Sequence, residues 1–212
     1  MKEALLYFII SYLIGAIPFS FLLPKIFLKK DVFEIGYKKA SASNVILNVN
    51  KKIGILAGIL DLSKGILVGI LSKDLSPLFK ALCGVFAILG HNWSVFLNGG
   101  GGRGIGVFIG FAIMSDWKLF CLALFPTIFL ILIFNSPVAT IFMILILALI
   151  SFNFENETIF LFSLASLFPI FLKRLSPIKE ISFSNFELIK NRLLYDRDQK
   201  AEFLWKKLIS RK

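Results

Sequence analysis

The segment ALLYFIISYLIGAIPFSFLLPKIFL, residues 4–28, decides the fold class of this chain. It is almost entirely apolar and exceeds the roughly 20 residues that a helix needs to cross a bilayer. Gly15 and Pro18 lie in its middle, and no small-residue cleavage site followed by a polar chain comes after it. We therefore interpret the segment as a retained membrane span rather than a signal peptide.

Further apolar runs repeat this pattern along the chain. Hydrophobic residues make up 57% of the sequence and the mean hydropathy is +0.82, yet Lys and Arg together number 24. So much apolar surface and so much charge must lie in different parts of the molecule. We predict an all-α polytopic membrane protein with about seven transmembrane helices, at residues 4–28, 53–71, 78–97, 105–114, 119–134, 138–152 and 159–172. The fourth run is short and follows a glycine run, which makes it a candidate for a broken or re-entrant helix.

Basic residues concentrate in alternate loops. The first loop (residues 29–52), the third loop and the segment after residue 172 are basic, whereas the loops between them carry few cations or are acidic. Because cytoplasmic loops carry the excess of Lys and Arg, we predict that the first loop and the C-terminus are cytoplasmic. An odd number of spans then places the N-terminus outside. This topology explains the net charge of +11, so no nucleic acid partner is expected.

We divide the chain into a transmembrane domain, residues 1–172, and a basic amphipathic cytoplasmic tail, residues 173–212. The tail mixes basic and apolar residues in a pattern that suits helices lying on an anionic leaflet. Packing of the tail on the protein's own cytoplasmic loops is the open alternative. The two cysteines, Cys83 and Cys121, lie far apart in apolar runs. The sequence shows no metal-ligand spacing and no nucleotide fingerprint, so no metal and no cofactor is expected.

The stretch GHNWSVFLNGGGGRGIG, residues 90–106, is the best candidate for a functional site. Its glycines can turn consecutive amides toward a ligand, and a helix that starts after them adds its positive dipole end. The guanidinium of Arg103 can make two parallel hydrogen bonds to an oxyanion. The pattern indicates a phosphate-binding loop at the mouth of a span, with a flexible hinge as the alternative. The glycines concerned are Gly99, Gly100, Gly101, Gly102 and Gly104.

His91 is the only histidine in the chain. It could act as a general base or donate a hydrogen bond to a bound anion, and a purely structural hydrogen-bonding role is the alternative. In a straight helix His91 lies well below Arg103, because each residue adds about 1.5 Å of rise. The two side chains can therefore reach one phosphate only if the glycine run folds back.

Other polar residues lie on the second span and in the first loop. Asp61 and Lys64 are three residues apart on one helix face, which predicts a structural ion pair. The first loop offers cations, hydroxyls and an amide on the same side of the membrane as Arg103, although a solvated basic loop explains the lysines equally well. These residues are Lys38, Lys39, Ser41, Ser43 and Asn44.

Three motifs resemble the PlsY family of acyl-phosphate:glycerol-3-phosphate acyltransferases, which are bacterial integral membrane enzymes with seven spans. SYLIGAIPF at residues 11–19 is similar to the family's opening S-Y-L-x-G-S-I-P. KKIGIL at residues 51–56, followed by DLSKG at residues 61–65, is similar to its K-K-x-G and D-x-x-K-G. The most specific match is residues 90–104, similar to G-H-x-F-P-x-F-L-x-F-x-G-G-K-G-V. The resemblance runs over nearly the full length.

The sequence departs from the family pattern at several motif positions. The family's G-S-G-N-x-G-A-T-N aligns with residues 36–44, where only Gly36, Ala42 and Asn44 match. The substituted positions include Tyr37, Lys38, Lys39 and Ser43. The arginine expected shortly afterwards falls on Leu47, and the lysine of the phosphate loop is Arg103. The family's C-terminal H-R-x-N-I-x-R-L-L is matched only by Asn185, Ile189 and residues 192–194.

The resemblance implies transfer of an acyl chain from acyl phosphate to glycerol 3-phosphate, which forms lysophosphatidic acid in phospholipid synthesis. The partners are then those two substrates and membrane lipids, and the location is the bacterial cell membrane with a cytoplasmic active face. We assign His91, Arg103 and Asn44 as candidate catalytic residues, and the glycines with Lys38, Lys39 and Ser43 as candidate substrate-binding residues. Because Tyr37 and Leu47 replace family residues, a catalytically silent or altered-substrate paralogue that binds lipid, acyl phosphate or a partner enzyme is the alternative. A small transporter whose broken glycine segment lines the path is a third possibility.

Overall fold

The structure is a computed structural model that describes residues 2–177, 185–196 and 198. Within those residues the chain forms α-helices, one short 3-10 helix and turns, so the predicted all-α class is confirmed. The α-helices are α1 (Lys2–Ala16), α2 (Phe19–Leu28), α3 (Ala42–Asn48), α4 (Lys51–Leu71), α5 (Pro77–Asn92), α6 (Ile105–Ile133), α7 (Ser136–Asn153), α8 (Glu157–Leu175) and α9 (Phe186–Tyr195). The 3-10 helix, Val95–Leu97, follows α5.

Six helical segments in the described residues are long and apolar enough to cross a membrane. The predicted runs 105–114 and 119–134 lie on the single element α6, which explains why the structure has six candidates where the sequence predicts about seven. Asp116 interrupts that element with φ −162° and ψ 96°, so α6 consists of two helical pieces joined at one extended residue. The count of seven spans and the orientation of the termini remain predictions.

The first candidate span is broken in its middle. It comprises α1 and α2, which are separated by Ile17 and Pro18. Proline has no amide proton to donate, so the helical hydrogen-bond pattern is interrupted there. A break within the bilayer is tolerated only where other groups satisfy the freed carbonyls. The break therefore requires hydrogen-bond donors from elsewhere in the chain, and we call residues 15–18 the first-span break.

The chain forms two compact units, residues 1–117 and residues 118–212. In the first unit, α1 packs against α4 and α5, and α4 also contacts α2, α3 and α5. In the second unit, α7 packs against α8 and α9, and α8 also contacts α9.

Glycines set the close packing of the first unit. A Cβ at Gly15 of α1 would lie 2.0 Å from the carbonyl oxygen of Ala87, and a Cβ at Gly90 of α5 would lie 2.0 Å from that of Tyr12. The same holds where α6 meets α4, since a Cβ at Gly110 would lie 2.0 Å from the carbonyl oxygen of Leu62. Small residues let membrane helices approach until their backbones touch. This packing places the middle of α4 against the first turns of α6, and α1 against α5.

The structure describes the predicted tail only in part. Arg192 of α9 is buried, and its Nη1 donates to the carbonyl oxygens of Leu175 and Pro177, each at 3.1 Å. Its Nε lies 2.7 Å from Asp198 Oδ1. The rest of the tail, residues 178–184, 197 and 199–212, lies outside the described residues. The division at residue 172 and the placement of the tail on a leaflet thus remain predictions.

Candidate functional site

The glycine loop (residues 98–104) folds back over the end of α5. Asn98 and Gly99 adopt left-handed backbone conformations, with φ values of 50° and 83°, which reverse the chain. The amide of Ser94 donates to the carbonyl of Gly100 at 2.9 Å, and the amide of Gly102 donates to the carbonyl of His91 at 3.1 Å. The glycine run therefore folds back, as it must if His91 and Arg103 are to contact the same anion.

Neighbouring atoms leave no room for side chains in the second half of the glycine loop. A Cβ at Gly101 would lie 2.3 Å from the carbonyl oxygen of His91, and a Cβ at Gly102 would lie 2.3 Å from His91 Nε2. Gly104 has φ 74°, in the left-handed region that favours glycine. Contact at Gly101 and Gly102, and backbone conformation at Gly104, therefore require glycine.

Arg103 and the start of α6 complete the loop. The carbonyl of Gly104 accepts the amide of Phe108 at 2.8 Å, so the first turn of α6 begins directly after Arg103. Arg103 is 9% exposed. The guanidinium is a planar cation with several N–H donors, and the amino end of a helix carries partial positive charge. Both features favour a bound anion at this end of α6.

Behind the glycine loop lies a buried group of polar side chains, Ser20, Asp61, Lys64 and His91, which we call the Asp61 cluster. Lys64 Nζ lies 2.7 Å from Asp61 Oδ1, so the pair predicted from the three-residue spacing is present. Ser20 Oγ donates to Asp61 Oδ2 at 3.0 Å. His91 Nδ1 lies 3.7 Å from Asp61 Oδ1, a distance that allows charge attraction but is too long for a hydrogen bond.

The same cluster supplies donors to the first-span break. Lys64 Nζ donates to the carbonyl oxygens of Gly15, at 3.3 Å, and Ile17. It also lies 5.0 Å from the centre of the Phe19 ring, within reach of a cation–π contact. Ser94 Oγ donates to the carbonyl oxygen of Ala16 at 2.6 Å. The carbonyls freed at Pro18 are thus satisfied by α4 and by the segment that leads into the glycine loop.

Two cavities adjoin this arrangement. A polar cavity of about 10 Å³, room for one water molecule, is bordered by the first-span break, Asp61, His91, Gly101 and Gly102. An apolar groove of about 310 Å³ lies beside it, and Ile17, Pro18 and Leu97 border both. The remaining groove residues are Phe21, Leu22 and Phe96. An apolar groove therefore meets a polar, glycine-lined corner.

Asn44 organises the first loop from inside. It is fully buried, and its Nδ2 donates to the carbonyls of Val32, Ile35 and Lys39 at 2.9 to 3.1 Å. Its Oδ1 accepts the amide of Tyr37 at 2.9 Å. These bonds give Asn44 a structural role that the sequence analysis missed, and its predicted contact with substrate remains a prediction.

The predicted binding residues of the first loop lie mostly on its surface. Lys38 and Ser43 are exposed and Lys39 is half-buried. Lys38 has φ 52°, a conformation that a residue with a side chain rarely adopts. The loop contacts the glycine loop elsewhere, because a Cβ at Gly102 would lie 3.0 Å from the carbonyl oxygen of Ala40.

The structure thus brings His91, Gly101 and Gly102 together with Asp61, while Lys38 and Ser43 lie on the surface. Sequence reasoning missed Ser20 and Ser94 as members of the site. The available signal was that each is a polar residue within or beside an apolar run, where such residues are costly. Among the residues that the structure describes, no group of three or more His, Cys, Asp or Glu side chains is arranged to hold a metal ion.

Comparison with known proteins gives consistent matches. Residues 5–182 match the family model described as glycerol-3-phosphate acyltransferase. A glycerol-3-phosphate acyltransferase of Prochlorococcus marinus (strain MIT 9515) is 31% identical over 82% of this chain and 90% of its own length. Glycerol-3-phosphate acyltransferase 4 of Dehalococcoides mccartyi (strain CBDB1) is 32% identical over 92% of this chain and 89% of its own length.

A solved structure has the same fold. It is the crystal structure of PlsY, an integral membrane glycerol 3-phosphate acyltransferase, in its glycerol 3-phosphate form. The match has a TM-score of 0.76 and covers 95% of this chain and 97% of the other, at 22% identity. This similarity establishes the fold, a multi-pass membrane protein of apolar helices.

Proposed function

This chain belongs to the glycerol-3-phosphate acyltransferase family, and on that premise we propose that it forms lysophosphatidic acid from acyl phosphate and glycerol 3-phosphate at the cytoplasmic face of the bacterial cell membrane. The ester bond forms between the acyl carbon and the 1-hydroxyl oxygen of glycerol 3-phosphate. The bond from the acyl carbon to the phosphate oxygen breaks, and the hydroxyl proton is transferred to the released phosphate. Acyl phosphate as the donor and the cytoplasmic face are part of the proposal.

One observation carries the proposal: the polar cavity lined by Gly101 and Gly102 adjoins an apolar groove of about 310 Å³ through the residues that border both. The groove is within the size range of ligand pockets, and it is lined by hydrocarbon side chains that suit an acyl chain. Phosphate groups would lie at Arg103 and at the amides of the glycine loop. A molecule with an acyl tail and a phosphate head then spans both parts, with its reactive carbon between them.

Holding the substrates in place supplies most of the catalysis in this proposal. Acyl phosphate is a mixed anhydride and already activated, so no covalent enzyme intermediate is required. Fixing two reactants in the right geometry contributes about 7 kcal/mol or more to lowering the barrier. Arg103 supplies charge, the glycine loop supplies amides, and His91 borders the loop at Gly102. Lys38, Lys39 and Ser43 are proposed to attract the anionic substrates from the cytoplasm.

The test is formation of labelled lysophosphatidic acid by the purified chain given acyl phosphate and labelled glycerol 3-phosphate. Arg103→Ala should lower kcat/KM about 100-fold, because charge-assisted hydrogen bonds contribute about 1.5–3 kcal/mol each. Arg103→Lys should retain part of the activity, since the charge remains. Lys73→Ala, an exposed cation between α4 and α5, is the matched control. Equal activity of Arg103→Ala and Lys73→Ala would refute the phosphate role of Arg103.

A catalytically silent binder is the second candidate. It is favoured by Tyr37 and Leu47, because the family motifs that this chain resembles have a serine and an arginine at these positions. Leu47 is 64% exposed. This alternative predicts binding of glycerol 3-phosphate without product, under conditions in which an active family member forms product. Restoring the pair with Tyr37→Ser and Leu47→Arg would then create activity.

The cytoplasmic face of the site is testable by labelling. Asn98 is exposed at the tip of the glycine loop, and Cys121 is the exposed native thiol. Asn98→Cys in a Cys121→Ser background should react with a membrane-impermeant thiol reagent only in inside-out vesicles. Reaction in intact cells would contradict the proposed orientation.

A further inference from the structure

The carboxylate of Asp61 is a junction between three parts of the site. Lys64 connects it to the first-span break, Ser20 connects it to α2, and His91 approaches it from α5. Asp61 and Lys64 are each 3% exposed. A buried ion pair adds little net stability compared with well-packed apolar residues, because desolvation offsets the attraction. Satisfying the first-span break accounts for Lys64, but it does not account for the approach of His91 to the same carboxylate.

His91 connects Asp61 to the glycine loop through two contacts with Gly102. Its carbonyl accepts the amide of Gly102 at 3.1 Å, and its ring lies against the same residue. The Nδ1 edge of the ring faces Asp61, while Nε2 is the atom that a Cβ at Gly102 would approach to 2.3 Å. The rotation of the imidazole about its side-chain bonds therefore sets the space that Gly102 occupies.

The negative charge of Asp61 lies 3.7 Å from Nδ1, so it favours the ring orientation that turns the Nδ1 edge toward it, although no hydrogen bond joins the two side chains. Such an orienting partner acts on the site without touching the substrate. Here it would hold Nε2 against Gly102 and keep the amides beside Arg103 in register for an anion.

We propose that Asp61 is a positioning residue for acyl transfer: it orients His91, and through His91 it holds the glycine loop in its phosphate-binding form. This inference rests on the proposed function and adds to it. The role expected from the sequence was structural pairing of Asp61 with Lys64 alone. The two roles differ in what happens when both members of the pair are made neutral.

The test compares single and double variants in the full-length purified chain. Asp61→Asn alone leaves the ammonium of Lys64 buried without its carboxylate, so it should lower the thermal unfolding midpoint. Asp61→Asn with Lys64→Gln removes both charges while the glutamine amide can still donate to the carbonyls of Gly15 and Ile17, so this double variant should restore most of that midpoint. Asp74→Asn, at an exposed turn between α4 and α5, is the matched control for loss of a carboxylate.

If Asp61 positions His91, the double variant regains stability but not affinity. The KM for glycerol 3-phosphate should stay raised about tenfold, the lower end of what orienting partners contribute, while kcat changes less than threefold. Adding Asp61→Asn and Lys64→Gln to His91→Ala should raise KM no further, because Asp61 acts through the ring. A double variant with wild-type KM would overturn the inference and leave Asp61 as only the partner of Lys64.

Binding separates this inference from the proposed function. The Kd for glycerol 3-phosphate, measured by titration of the same variants, should rise with KM in the double variant. A wild-type chain that binds glycerol 3-phosphate but forms no lysophosphatidic acid would refute the proposed function, and the Kd values would still decide the role of Asp61. Equal Kd values for the wild type and the double variant would overturn the inference even if transfer occurs.

Discussion

The two loops of the site are held in place in opposite ways. The glycine loop is seated by contact, because His91 and Ala40 occupy the space that side chains at Gly101 and Gly102 would need. The first loop is instead tied by one buried amide, that of Asn44, to the main chain at several points. The tie through Asn44 does not depend on the side chains of Tyr37 and Lys39, although Gly36 and Lys38 have left-handed φ values that restrict the choice of residue there. This difference accounts for the departure of Tyr37 and Lys39 from the resembling family motif while Gly101 and Gly102 are retained, and Lys38 departs from it at a cost in backbone strain.

The largest effect should come from adding a methyl group to the seated loop. Gly102→Ala would place its Cβ 2.3 Å from His91 Nε2 and 3.0 Å from the carbonyl oxygen of Ala40. The loop must move, and displacement of a catalytic group by about 1 Å costs about 100-fold in rate. We expect kcat/KM for lysophosphatidic acid formation to fall by about that factor.

Gly58→Ala is the control for this change, because a Cβ there meets only Ala42 Cβ at 3.5 Å. It should leave both activity and the thermal unfolding midpoint close to wild type. Near-normal activity of Gly102→Ala would mean that contacts at Gly102 do not hold the glycine loop in place. The proposed difference between the two loops would then be wrong.

The second largest effect should come from removing the hydrogen bonds by which Asn44 holds the first loop. Asn44→Ala removes the donors to Val32, Ile35 and Lys39 and the acceptor for the amide of Tyr37. Leaving such groups unmatched costs about 3 kcal/mol in free energy of unfolding. At about 2–4 °C per kcal/mol, the thermal unfolding midpoint should fall by roughly 6–12 °C.

Asn48→Ala serves as the control, since Asn48 is exposed and its Nδ2 donates to Asn44 Oδ1 at 3.0 Å. Its midpoint should change by about a quarter as much or less. If Asn44→Ala loses activity while its midpoint equals that of Asn48→Ala, Asn44 contacts substrate and is not primarily a tie.

The smallest effect should come from relaxing the backbone at Lys38. Its φ of 52° costs a non-glycine residue about 1–2 kcal/mol, so Lys38→Gly should raise the free energy of unfolding by about 1 kcal/mol. Lys38→Ala keeps the strain and is the matched control. A loss of activity in both variants would measure the effect of removing the lysine charge. A difference between their thermal unfolding midpoints would measure the backbone strain at residue 38. Equal midpoints would show that the first loop does not hold this residue strained.

The sequence was a good guide to features that depend on local pattern. Apolar length marks spans, and a spacing of three residues put Asp61 and Lys64 on one face, so both could be read without a structure. The sequence did not predict that the runs 105–114 and 119–134 join in α6. Asp116 and Lys118 are typical of a loop, but in the structure a single extended residue separates the two helical pieces.

Contacts between residues distant in sequence explain the other omissions. The hydrogen bonds of Asn44 depend on how the first loop coils around it, and no periodicity encodes that path. Ser20 and Ser94 acquire their roles only because Pro18 breaks the first span and frees carbonyls that must find donors. Asp61 faces His91 only because the glycines of α1, α4, α5 and α6 let the helices approach closely.

The first-span break has a consequence for how the protein is made. Its donors lie far downstream, since Lys64 follows Ile17 by 47 residues and Ser94 follows Ala16 by 78. Ribosomes add about 5–20 residues per second, so for several seconds the inserted first helix must wait for those donors. During that interval the interrupted turn favours retention beside the insertion machinery or at the water interface over release into lipid. Biogenesis of this enzyme should therefore be delayed until its third hydrophobic segment emerges.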